Sequence, residues 1–242
     1  MTAIGCRSGA GSREGIMERS RINRIMAEAA ELIGKAGFHL PPFAHWSPGE
    51  FRTRATPAIR EGRLGWDITD YGQGDFDRLG LFLFTLRNGR LADLQAGRGM
   101  VYAEKLLISQ ENQISPMHTH VIKTEDIINR WGATLAIRLC GSDAQGRMDR
   151  NAPCRVDCDG IPREIAPGGV LRLSPGESVT LRPGDWHEFW AEGGPVLIGE
   201  VSTVNDDLTD NIFAAPIGRF ANVVEDEAPL HLLVSDYDSD VA

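Results

Sequence analysis

The stretch Pro116-Met-His-Thr-His-Val-Ile-Lys-Thr-Glu-Asp126 is answered about sixty residues later by Pro183-Gly-Asp-Trp-His187. Two histidines separated by one residue lie on the same face of a strand, because side chains alternate sides with period 2. Imidazole is the commonest protein ligand for a transition metal, and an added carboxylate suits a borderline or hard divalent ion. Glu125 follows His120 at a distance that lets a tight turn bring it back to the same point. His187, beside a Pro-Gly turn, offers a fourth ligand from a neighbouring strand. The pattern points to an open mononuclear site made by His118, His120, Glu125 and His187. The competing reading is a set of surface or core-satisfied polar residues, and the spacing favours the metal.

Around this stretch the chain reads as strands and turns. Leu81 to Leu86, Val101 to Ser109, Thr134 to Cys140, Arg155 to Cys158, Val170 to Leu173, Val179 to Leu181 and Pro195 to Val201 are short apolar segments. Asp159-Gly160, Pro175-Gly176 and Pro183-Gly184 punctuate them, which argues for a β-sandwich or barrel. Asn88-Gly89 signals a hairpin, with a second strand expected to begin near Arg90. Before these, Ile22, Ile25, Met26, Ala29, Leu32, Ile33 and Ala36 recur at helical spacing, with Ser20 as the expected N-cap and Gly37 as the stop. A second short helix is expected from Ser47 to Arg52, with Pro48 in its first turn. The domain organisation expected is a disordered extension over residues 1–16 and one domain over 17–242. The acidic segments Glu225 to Glu227 and Ser235 to Asp240 are expected to include a frayed tail.

The net charge of -9 over 242 residues argues against nucleic acid, whose phosphates need a basic surface. No apolar run approaches the roughly 20 residues needed to cross a bilayer. Cys6, Cys140, Cys154 and Cys158 are too few and too irregular for a disulfide framework. With no apolar h-region at the N-terminus, the expectation is a soluble cytoplasmic protein with reduced thiols.

The site residues carry further consequences. On an extended segment Lys123 shares the face of Glu125, where a neighbouring cation disfavours its ammonium form and makes it a proton carrier. By the same parity Asp185 and Phe189 face with His187, while Trp186, Glu188 and Trp190 face away, Trp190 toward a core. Four protein ligands around an ion that prefers six leave two positions for water or substrate oxygens, a vacancy that two adjacent oxygens of a sugar fit as a chelate. Asn205, Asp206, Asp210 and Asn211 form a polar cluster that can hold sugar hydroxyls or cap a turn.

His118-Thr-His120, four residues, Glu125, six residues and Gly132 resemble the first cupin motif. Gly176, Gly184 and His187 resemble the second. The chain departs from these motifs with Asn112 at the usual first glycine, Pro183 one residue late and Ala191 at an asparagine position. Three longer strings resemble the D-lyxose isomerase family of cupins. They are Gly65-Trp-Asp-Ile-Thr-Asp-Tyr-Gly72, Met117 through Arg130, and Ile198 through Asp206 running into Asp210-Asn211. The resemblance implies a mainly β fold, a cupin-type double-stranded β-helix (jelly-roll) barrel with an N-terminal helical extension. It implies a Mn²⁺-dependent aldose–ketose isomerase acting on D-lyxose and D-xylulose, and on D-mannose and D-fructose. It also implies His118, His120, Glu125 and His187 as metal ligands, with Lys123 and a C-terminal glutamate as acid/base partners. Glu225 is taken for that glutamate, with Glu200 as the fallback, because Val224 stands where the family shows one of two adjacent acids. Substrate binding is expected from Asn205, Asp206 and Asp210, and a homodimer is expected from an open sheet edge. A metal-dependent cupin dioxygenase and a non-catalytic sugar-binding cupin remain the alternatives.

Overall fold

Two long strands, Glu125–Ser142 and Trp186–Thr203, pair antiparallel along almost their whole length and carry the architecture. The computed structural model describes residues 15–206 and 209–238. The two strands belong to both sheets of a jelly roll. Residues 196–202 pair with 125–132 in one sheet, and 186–192 pair with 134–140 in the other. The register shifts between Glu192 and Val196, where the ribbon turns from one sheet to the next. Gly132 sits at this corner with φ +105, and a Cβ on it would lie 2.2 Å from the Pro195 carbonyl oxygen. Only glycine lets the strands approach this closely in this conformation.

The first sheet continues through Tyr102–Ser109, Leu81–Asn88 and Gly65–Thr69 on one side. On the other side it continues through Ser178–Leu181, Cys154–Cys158 and Ile161–Ile165. The second sheet contains Val170–Leu173, the outer halves of the two long strands, Ser115–His120 and Asn211–Phe213. Leu107, Ile127, Leu135, Ile137, Val179, Phe189 and Ile198 fill the space between the sheets. The mainly β jelly-roll expectation is borne out. Two of its strands, Glu125–Ser142 and Trp186–Thr203, run much longer than the turn signals implied, because Gly132 and the Gly193-Gly194 pair bend the chain without ending the ladder.

The helix Arg19–Lys35 packs Ile22, Met26, Ala29 and Ile33 onto the outer face of the first sheet, against Trp66, Phe82, Phe84, Leu106 and Ile108. It begins one residue before the expected cap, with Glu18 as N-cap. Its first turn is met instead by the acidic segment. Asp226 accepts the Ser20 N–H at 2.9 Å, Glu225 and Asp236 grip the Arg19 guanidinium at 2.6–3.0 Å, and Glu227 accepts from Asn23 at 2.6 Å. Carboxylates at a helix N-terminus offset its exposed N–H groups and the positive end of its dipole. Residues 235–238 are therefore a docked turn. The rest of the expected tail, 239–242, lies outside the described residues. The expected N-terminal extension falls on residues 1–14, also outside them, and on Gly15 and Ile16; Ile16–Glu18 is a strand parallel to Asn222–Val224.

The second helix spans Pro48–Arg54 with Ser47 and Glu50 forming a capping box. Asn88-Gly89 does not close a two-residue hairpin. The Asn88 side chain donates to the Asn205 carbonyl at 2.9 Å and accepts the Asn205 N–H at 3.0 Å, and a short helix, Leu91–Gln95, precedes the strand at Tyr102. Asn112, at the motif's glycine position, has φ +60, a conformation asparagine tolerates. Trp190 is half-buried under the Arg138 guanidinium, 5.1 Å from its ring centre, and is not a core residue.

Candidate active site and metal centre

His118 and His120 project from Ser115–His120 into the space between the sheets. His187, second residue of Trp186–Thr203, lies opposite His118 in register. The ring centres of His118 and His187 are 4.2 Å apart, and His120 lies 5.2 and 5.7 Å from them. One ligand atom from each of the three lies within 4.8 Å of the others. Glu125 completes the group, its Oε1 3.2 Å from both His120 Nε2 and His187 Nε2.

The donor set fits a divalent cation. The His118 and His187 Nδ1 atoms contact the carbonyls of Pro116 and Asp185, two residues back, at 2.7 and 3.0 Å. A carbonyl only accepts, so Nδ1 carries the proton and Nε2 the lone pair. His187 Nε2 then faces the Glu125 carboxylate as acceptor to acceptor, a conflict that a shared cation removes. Burial, with His187 and His120 adding to it, holds His118 well below the ordinary imidazole range. Burial and then Lys123 lower His120. Burial pushes the Glu125 carboxyl up, but Lys123 and His120 outweigh it and hold the group well below the usual carboxylate range. These groups therefore present neutral imidazoles and an anionic oxygen, the forms that bind metal.

Lys123 lies in the turn between the histidine strand and Glu125 rather than on a regular strand. Its Nζ still reaches the site, 2.6 Å from Glu125 Oε2 and 2.9 Å from Glu200 Oε1. It thus sits between two carboxylates. Lys105, opposite Glu200 in register, places its Nζ 3.3 Å from the same Glu200 oxygen. All four are buried. A cleft opens above them. Tyr71, Asn211, Phe213 and Arg219 form part of its wall. The Tyr71 hydroxyl pairs with Ser115 Oγ at 3.1 Å, and Arg219 donates to Asp67 at 2.7 Å.

Glu225 lies elsewhere. Its side chain is 57% exposed and its carboxylate is engaged by Arg19 at the start of the helix, beside the small two-stranded sheet, so it corrects to a helix-docking residue. Asn205 and Asp206 line a separate cleft with Arg63 and Asn88, and the Asp206 carboxylate accepts the Thr209 hydroxyl at 2.6 Å. Asp210 is buried and its carboxylate accepts the N–H groups of Val121, Ile122 and Lys123. Of the residues singled out after the last long strand, Asn211 alone borders the cleft. Among cleft residues, Lys105, Tyr71 and Arg219 escaped sequence reasoning. Lys105 had a signal: a charged residue alternating with Ala103 and Leu107 on the buried parity of an apolar strand. His187 and Phe189 both face the cleft, whereas Asp185 turns to Cys154 and the Arg182 N–H.

A family model for D-lyxose isomerase matches residues 17–237. The chain belongs to the D-lyxose isomerase family. Within that family it is 42% identical over 226 residues to a D-lyxose/D-mannose isomerase of Serratia proteamaculans, covering 91% of this chain and 98% of that one. It is also 42% identical over 230 residues to the D-lyxose/D-mannose isomerase of Escherichia coli O157:H7, with the same coverage. The fold of this D-lyxose isomerase family member is shared with L-ribose isomerases. The Cellulomonas parahominis L-ribose isomerase with L-ribose superposes with a TM-score of 0.57 at 16% identity, covering 87% of this chain and all of that one. The Acinetobacter sp. DL28 L-ribose isomerase in complex with L-ribose gives 0.58 at 14%, covering 88% of this chain and all of the other.

Proposed function

We propose that the chain is a metal-dependent aldose–ketose isomerase that interconverts D-lyxose and D-xylulose, and D-mannose and D-fructose. One observation carries the reading: Lys123 Nζ bridges Glu125 and Glu200 at 2.6 and 2.9 Å beside three convergent imidazoles. The residues that would hold the ion are His118, His120, Glu125 and His187, and Mn²⁺ suits this mixed nitrogen and oxygen set. Such an ion supplies Lewis-acid polarisation of a carbonyl and its neighbouring hydroxyl.

The chain's own residues move the protons. Converting an aldose to a ketose removes the hydrogen on C2 as a proton and delivers one to C1, while a hydroxyl proton shifts from O2 to O1. Glu200 is the carboxylate at the cleft that accepts and returns the carbon-bound proton, and it replaces Glu225 as partner acid. Lys123, hydrogen-bonded to it, donates to and accepts from the sugar oxygen. Lys105 positions Glu200 from the opposite side. Tyr71, Asn211 and Arg219 present hydroxyl, amide and guanidinium groups to the remaining sugar hydroxyls.

The reading extends to the setting. Among the described residues no helix is long and apolar enough to cross a membrane. Cys140, Cys154 and Cys158 are free thiols, which supports a reducing cytoplasm. A homodimer is part of the proposal, and the exposed Val121, Ile122 and Ile212 beside the site are a face it would cover. Residues 17–242 act as one cupin unit. Mn²⁺-loaded protein is expected to form D-xylulose from D-lyxose and D-fructose from D-mannose. Absence of ketose from both sugars, with the ion bound, overturns the reading.

A further inference from the structure

We propose that Asp210 is the positioning carboxylate of His120, accepting its Nδ1–H and thereby fixing Nε2 as the lone-pair donor to the metal. The inference rests on the metal-site reading above and assigns a role to a residue outside the ligand set.

Three observations lead to it. His118 and His187 each settle Nδ1 on the carbonyl two residues back, a contact local to their own strands. His120 makes no such contact: its Nδ1 is a buried atom with no hydrogen-bond partner. That atom faces Asp210 Oδ2 at 4.0 Å, with both side chains about 95% buried.

The acceptor capacity of Asp210 points the same way. An ionised carboxylate has about four lone-pair sites, two on each oxygen. Oδ1 takes the N–H groups of Val121 at 3.0 Å and Ile122 at 2.7 Å, which fills it. Oδ2 takes the Lys123 N–H at 3.0 Å and retains one site. The remaining acceptor of one group and the remaining donor of the other thus face each other inside the protein. Closing this pair satisfies the last polar atom of the ligand set and raises the basicity of Nε2. The same carboxylate holds three of the four residues linking His120 to Glu125. Asp210 therefore sets one ligand directly and, through the turn, the placement of Lys123 and Glu125.

Asp210→Asn tests the role. Its amide would donate to Nδ1, moving the ring proton to Nε2 and blocking the lone pair. Full-length protein is titrated with Mn²⁺ and free ion counted by electron paramagnetic resonance. In parallel, ¹⁵N-histidine spectra of the Zn²⁺-loaded wild type and variant report each tautomer. The expected result is an affinity for Mn²⁺ about 10- to 100-fold lower in the variant. It is accompanied by a hydrogen-bonded Nδ1–H on His120 in the wild type that the variant lacks.

An affinity within twofold of wild type overturns the proposal. So does an Nε2–H tautomer of His120 in the wild type, or weaker binding by a variant that retains the Nδ1–H tautomer, which would reduce Asp210 to a turn holder. Should Asp210→Asn fail to fold, the wild-type tautomer decides alone. A wild type that binds no divalent ion removes the metal-site reading itself, and this inference with it.

Discussion

Replacing Glu200 by glutamine, with Glu225→Gln as its companion, separates two assignments of the partner acid by two different readouts. Glu200 is 4% exposed, and its Oε1 meets Lys123 Nζ at 2.9 Å and Lys105 Nζ at 3.3 Å. Glutamine keeps the shape and one acceptor but leaves two buried ammonium groups facing a neutral amide. Removing one partner of a buried ion pair costs about 3–5 kcal/mol, and the retained hydrogen bond puts this change near about 3 kcal/mol. A domain of ordinary stability, about 5–15 kcal/mol, stays folded through that loss. The rate falls further, because losing a general acid/base costs about 10²- to 10⁴-fold. Glu225→Gln weakens one partner of Arg19, which keeps Asp236 at 3.0 Å. Because Glu225 is more than half exposed, solvent screening limits the cost to about 1 kcal/mol. Ketose formation from D-lyxose by the Mn²⁺-loaded variants and denaturant melts give both numbers. Full activity in Glu200→Gln, or a hundredfold loss in a folded Glu225→Gln, refutes the assignment.

Other consequences follow from the same geometry. Lys123→Ala leaves all four metal ligands in place, so metal content stays near wild type while the rate falls about 10²-fold or more; loss of the ion would show that Lys123 builds the site rather than moving protons. His187→Ala lowers bound metal and rate together, measured by elemental analysis and ketose assay. Gly132→Ala places a Cβ against the Pro195 carbonyl at φ +105, for a destabilisation of about 3 kcal/mol from strain and overpacking. That corresponds to a drop in Tm of about 6–12 °C. Acid should destabilise the metal-free protein. His118, His120 and Glu125 are all held below their ordinary ranges, so as pH falls the unfolded chain takes up protons first. The stability they contribute is complete above about pH 6.5 and is lost as pH falls through the lower folded values, first for the histidines and then for Glu125. A metal-free melt that holds its Tm from pH 7 to pH 5 would contradict this.

What could be seen in the chain before folding was what lies close together along it. The period of two placed His118 and His120 on one face, and the short turn back to Glu125 needed no knowledge of the rest of the sheet. Lys123 reached the site for a different reason than alternation: it occupies the turn itself, held by Asp210. Glu200 and Lys105 arrive from strands separated by a long stretch of sequence, and their meeting depends on strand register that composition does not encode; Arg219 arrives from the loop between Phe213 and Asn222. Glu200 meets Lys105 because Trp186–Thr203 lies antiparallel to Tyr102–Ser109 with those two residues opposed. Glu225 misled because an acidic run near the C-terminus has two uses, chemistry or docking on a helix N-terminus, and Arg19 decides between them. Of the two uses open to Asp206 and Asp210, holding sugar hydroxyls or capping a turn, each takes protein hydrogen bonds of the second kind: from Thr209 in one case, from three backbone N–H groups in the other.

The central claim is that one divalent ion, held by His118, His120, Glu125 and His187, makes this fold an isomerase. Metal-free protein titrated with Mn²⁺, with bound ion per chain and D-xylulose formed from D-lyxose followed in the same samples, tests it most directly. The account predicts that activity rises in proportion to occupancy and saturates at one ion per chain. Ketose formed at full rate by metal-free protein, or a saturated site that forms none, would contradict it.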